Sequence, residues 1–131
     1  MKLIGSSLII ASTVLAGAAL VAPAANASGG TGDVRASGTC TGTSTWKLKA
    51  KPDNGKIDVA FEVDSNVVGQ TWSVRITDNR TAVFTGTRRT TAPSGSFTVA
   101  PIVPNRAGAD AFVARATNSA TGESCVGRVT L

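Results

Sequence analysis

The chain predicts an all-β fold: an immunoglobulin-like antiparallel β-sandwich of about seven strands, with one disulfide joining its N- and C-terminal strands. Three observations predict it. Short runs alternate apolar and polar residues, and clusters of Gly, Pro, Asn and Asp separate them. No segment sustains a helical period. Only two cysteines occur, Cys40 and Cys125, and they frame the alternating region.

The first segment stands outside that pattern. Residues 1–27 read as a cleavable secretory signal: Lys2 supplies a minimal positive start, an apolar stretch runs to Leu20, and Ala25-Asn26-Ala27 places small residues where a signal peptidase cuts. The apolar run is interrupted by Gly5, Ser6, Ser7 and Gly17, so no membrane span is expected once it is removed. No cysteine lies near the cleavage motif to carry a lipid. Residues 28–33 are a flexible lead-in, and residues 34–131 form one domain. A secreted destination permits the Cys40–Cys125 bond, which would close most of the domain into one loop.

The strands follow in order. Val34 to Cys40 is a weak first strand. Thr43 to Lys51 puts Trp46, Leu48 and Ala50 on one face and Lys47, Lys49 and Lys51 on the other. Pro52-Asp53-Asn54-Gly55 has turn chemistry. Lys56 to Asp64 alternates, with Ile57, Val59, Phe61 and Val63 inward. A four-residue loop pairs Ala50 with Ile57, Leu48 with Val59, Trp46 with Phe61, and Lys49 with Asp58.

Gln70 to Thr77 sends Trp72, Val74 and Ile76 inward and Arg75 outward. With Asp78-Asn79-Arg80 as a three-residue loop, Thr81 to Thr87 returns and Gly86 makes room opposite Trp72. That loop places Arg80 where Gly or Asn is preferred. Ala92 to Gly95 turns the chain, and Ser96 to Ala100 is a short strand. Pro101 to Gly108 is a longer connection crossing between sheets. Ala111 to Thr117 and Ser124 to Leu131 close the fold. Their register sets Ala116 opposite Cys125, Ala114 opposite Gly127, and Phe112 opposite Val129. Small residues thus leave space for the disulfide.

Catalytic chemistry is sparse. The chain has no histidine, which removes the commonest general base and most zinc sites. Asp58, Glu62 and Asp64 share one outer face, where alternate positions lie roughly 6–7 Å apart, so two such carboxylates are open to acid–base work or calcium, or simply to pairing with the lysines across the hairpin. No enzymatic activity, cofactor or metal is expected. Asn79-Arg80-Thr81 fits the glycosylation sequon.

Binding features are more numerous. Without Lys2, twelve basic side chains face eight acidic ones, a net of +4. An exported protein of that charge meets anionic cell-wall polymers, polysaccharides or secreted proteins rather than nucleic acid. Arg80, Arg88 and Arg89 are expected to gather near one end of the sandwich as an anion site. Lys47, Lys49, Lys51 and Lys56 form a second basic stripe. Ile102 and Val103, between two prolines, are either a partner-docking loop or filler between the sheets. Trp46 and Trp72 suit a sugar platform only if exposed, and parity turns both inward.

The leader ending Ala25-Asn26-Ala27, the Ala/Thr/Gly/Arg composition and the strand Gly69-Gln70-Thr71-Trp72-Ser73-Val74-Arg75-Ile76 resemble small secreted proteins of actinobacterial type. The resemblance implies origin and an immunoglobulin-like fold, not an activity. Bacterial cellulose-binding modules are similar in size and in having cysteines near both ends, but they present a row of surface aromatics that this chain lacks. Apoproteins of enediyne antibiotics are similar sandwiches with two disulfides and an acidic balance. Neither family's binding residues carry over. The expectation is a monomeric, non-enzymatic surface or extracellular binding module. Its alternatives are a carbohydrate-binding module and an inhibitor of a secreted hydrolase.

Overall fold

The computed structural model describes residues 32–131. The expected signal segment and most of the lead-in fall outside them. Asp33, the last lead-in residue, is buried, and its carboxylate accepts from Arg35 Nε at 2.8 Å. The domain therefore starts slightly earlier than its first strand.

Nine strands follow: β1 (Val34–Thr39), β2 (Thr45–Asp53), β3 (Lys56–Asp64), β4 (Thr71–Asp78), β5 (Thr81–Arg89), β6 (Ser96–Val99), β7 (Ile102–Pro104), β8 (Ala111–Asn118) and β9 (Ser124–Thr130). All pairings among them are antiparallel. Sheet A runs β1-β2-β3-β6, with β7 also on β3, and sheet B runs β5-β4-β8-β9. The inward faces meet in one core, where Phe61, Trp72 and Phe112 are the largest buried side chains. Each such side chain contributes about 2–3 kcal/mol through burial.

The stretch expected to cross between sheets opens with a short strand, β7, before it leaves sheet A. β6 and β7 are two parts of one line along β3, interrupted at Ala100-Pro101. Pro101 has no N–H to give, but its carbonyl still accepts from Val59 N at 3.0 Å. The crossing to sheet B follows Pro104, within the expected stretch and on to Ala111.

Two hairpins differ in register from the sequence expectation. Between β2 and β3 the turn is only Asn54-Gly55, both at positive φ (50° and 77°). Such a two-residue turn matches strand twist, and Asn-Gly suits it best. Pro52 and Asp53 are thereby drawn into β2, and Lys51 rather than Lys49 faces Asp58. The shift is two residues, so every side chain keeps its face. Between β4 and β5 the turn is Asn79-Arg80, with φ of 48° and 72°. A register shift between Ile76 and Thr77 then leaves Val83 without a partner. Together they bring Arg88, not Gly86, opposite Trp72, and leave Ala82 exposed.

The β8–β9 register is as expected, with Ala116 opposite Cys125, Ala114 opposite Gly127 and Phe112 opposite Val129. Cys40 and Cys125 are bonded at an S–S distance of 2.02 Å. Cys40 follows β1 and Cys125 lies in β9, so the bond ties the edge strand of one sheet to the edge strand of the other. Small residues do make room for an indole, but for Trp46 rather than Trp72. A Cβ added at Gly38 or Gly127 would approach the Trp46 ring to 2.9 or 2.6 Å. The half-buried ring is wedged between β1 and β9 at that glycine pair.

A candidate anion-binding face

The outer face of sheet B is built by strand parity. Trp72, Val74 and Ile76 of β4 are buried, so Ser73, Arg75 and Thr77 point away from the core. On β8 the same alternation exposes Arg115 and Thr117, and on β9 Arg128. The pairing register then assembles rows across the sheet. Thr87, Ser73, Thr117 and Ser124 form a row of hydroxyls. The next row is Thr85, Arg75, Arg115 and Val126. Arg75 and Arg115 are thus direct partners on the two central strands, beside a shallow hollow of about 420 Å³.

Like charges directly opposite on a sheet repel. Arg89 and Arg128 sit further out on the same face, and none of its outward positions is acidic. None of the four guanidiniums has a hydrogen-bond or ion-pair partner among the described residues; the one ion pair there is Arg35–Asp33.

Nearby carboxylates are withdrawn. Glu123, next to the start of β9, turns to the β1–β2 loop and accepts from Gly42 N (3.0 Å), Ser44 N (2.9 Å) and Ser44 Oγ (2.9 Å). Asp78 and Asp110 are buried together beside the β4–β5 turn. Burial, then a hydrogen bond with and the charge of Asp110, raise the Asp78 carboxyl to about 6, against a lesser opposing pull from Arg106. With its amide nitrogen toward that pair, Asn105 donates to Asp110 Oδ2 at 3.2 Å. The Asn79 carboxamide of the sequon is also engaged: Nδ2 donates to Ala109 O and Oδ1 accepts from Ala111 N, both at 3.0 Å.

Sheet A differs. Its hollow is larger, about 500 Å³, and Arg35, Lys47 and Lys49 line it, but so does Glu62. The lysine stripe is interleaved with acids: Lys47 faces Glu62, Lys51 faces Asp58, and Lys56 faces Asp53. No group of three or more His, Cys, Asp or Glu side chains that could hold a metal ion occurs among the described residues.

The other sequence candidates are dispersed. Arg80 is at one tip of β5 and Arg88 and Arg89 at the other, roughly 26 Å away at ~3.3 Å per residue, so the expected arginine cluster does not form. Strand direction separates them. Arg88 also has inward parity; its guanidinium covers the Phe84 ring, 4.8 Å from the centroid, at the open edge of the sheet. Ile102 and Val103 lie in a strand rather than a loop: Val103 is buried and Ile102 is 65% exposed. Trp72 is fully buried, with Nε1 donating to Gln70 Oε1 at 3.3 Å.

Sequence reasoning placed Arg75 outward but missed that it meets Arg115. The alternation that could reveal it was present in each strand; the adjacency of β4 and β8 was not. Comparison with protein-family models, curated proteins and solved structures finds no significant match.

Proposed function

We propose that the protein is a non-enzymatic extracellular binding module that adheres to an anionic surface polymer through the outer face of sheet B. The observation that carries this reading is a sheet face with four unpaired arginines and no acidic residue. A flat field of one sign attracts a polyanion, and exposed arginines supply forked donors on contact. Export is supported by the Cys40–Cys125 bond and by the sequence of the leader. Among the described residues no helix is long and apolar enough to cross a membrane. An immunoglobulin-like assignment is supported by the chain passing from sheet A to B after β3, back after β5, and to B again after β7.

The carbohydrate-module alternative has less support, because Trp72 is enclosed and Trp46 is wedged between glycines. The inhibitor alternative needs a projecting loop, and Arg88-Arg89 and Ile102-Val103 are both strand residues. The test is retention of the oxidised protein on isolated cell-wall material at rising salt. Arg75→Gln with Arg115→Gln is expected to weaken retention about tenfold or more, by loss of charge-assisted hydrogen bonds. Retention that ignores both salt and this double substitution would sink the proposal.

A further inference from the structure

We infer that the Arg75–Arg115 pair is a subsite for a tetrahedral oxyanion, the phosphodiester or sulfate ester of a polymer, in preference to a carboxylate. The inference rests on the polyanion reading and narrows it.

The two arginines start from opposed positions on adjacent strands, where Cα atoms are about 5 Å apart. Side chains there stand roughly perpendicular to the sheet, so two guanidinium forks rise side by side. A carboxylate has two oxygens in one plane, and a single fork satisfies both. The second fork is left the outer lone pairs, which lie in that same plane and point away from each other, so it cannot bind both oxygens as a fork. A tetrahedral group directs its oxygens out of any common plane, so it accepts from both forks at once. Hydroxyls continue the pattern: Ser73 and Thr117 are opposed two residues along the same strands, and Thr85 flanks Arg75. None of these three side-chain hydroxyls has a bonding partner among the described residues. They are free to donate to the bridging oxygens of an ester chain running across the sheet. The face has no outward aromatic residue, so ring stacking contributes nothing to selection.

The test measures binding of the full oxidised chain to inorganic polyphosphate, dextran sulfate and polygalacturonate at matched charge concentration and low salt. At least one of the first two is expected to bind about tenfold or more tighter than polygalacturonate, reflecting use of both forks. Preference for polyphosphate identifies the phosphorus ester, and preference for dextran sulfate the sulfate ester. Arg75→Lys with Arg115→Lys keeps both charges and removes the forks; it should abolish the preference while leaving salt-sensitive binding. Lys47→Gln with Lys49→Gln, on the opposite sheet, should change neither. Equal binding of all three polymers, or a preference that survives the lysine pair, overturns the subsite while leaving the polyanion reading standing. Absence of binding to any of them overturns both.

Discussion

Trp46 shows how a single side chain can depend on two absent ones. Its ring occupies the space that a Cβ at Gly38 or Gly127 would take. Gly127→Ala is therefore expected to displace the indole and cost about 1–3 kcal/mol, measured by urea unfolding with tryptophan emission as a second probe. Parity alone made the inward residues of β2, β3 and β4 legible, because a buried strand face must alternate. The glycine wedge was not legible, since β1 and β9 meet only in three dimensions. The same holds for Asp78 and Asp110, which are brought together by β4 and β8. Folding raises the Asp78 carboxyl from 3.8 to about 6, so the folded state binds its proton more tightly than the unfolded chain does. That contribution to stability is complete below pH ~4 and is lost as pH rises toward ~6. Asp78→Asn should remove this dependence, and the difference between the two proteins' unfolding free energies should change by on the order of 2–3 kcal/mol across that window.

Turns decided how far each element could be read. The β8–β9 register followed directly from the sequence, whereas the β2–β3 register missed by two residues because Asn54-Gly55 alone makes the turn. Proline's turn preference suggested a longer loop, but Pro52 lies past the last β1–β2 pair, Val34–Ala50, where a missing N–H costs sheet A nothing. At Asn79-Arg80 the chain accepts a strained position: Arg80 has φ of 72°, where a residue with a Cβ is disfavoured by about 1–2 kcal/mol. Arg80→Gly is expected to stabilise the protein by about 0.5–1 kcal/mol, less than the full strain because glycine also loosens the unfolded chain. A denaturant series on the two proteins checks this. Destabilisation would show that the Arg80 side chain makes up for its own backbone.

For the whole molecule, the two cysteines predicted the closure of the fold. The bond spans 85 residues of separation, and a loop of that size contributes about 4–5 kcal/mol in the chain-entropy model. Replacing Cys40 and Cys125 together by Ala should lower the Tm by roughly 20 °C, measured calorimetrically against the oxidised protein. The candidate face was hidden from the sequence for a reason of the same scale. Lys47, Lys49 and Lys51 stand out because they alternate within one strand, yet β3 answers them with acids. Arg75, Arg115 and Arg128 are scattered along the chain, and only the order β4-β8-β9 collects them. That order depends on pairings between distant segments, which alternation within a strand does not encode.

The outer face of β1, β2 and β3 carries five basic and four acidic side chains, almost a balance, while the charged side chains of the face behind it are all arginines. The molecule is accordingly an electric dipole aligned across its thickness. A negatively charged surface would exert a torque on it from about a Debye length away, ~10 Å at 0.1 M salt, before any atom touches. Approach would then be sheet B first, and every bound copy would show the medium the same mixed-charge side. The field, rather than any contact, would decide which way the layer faces.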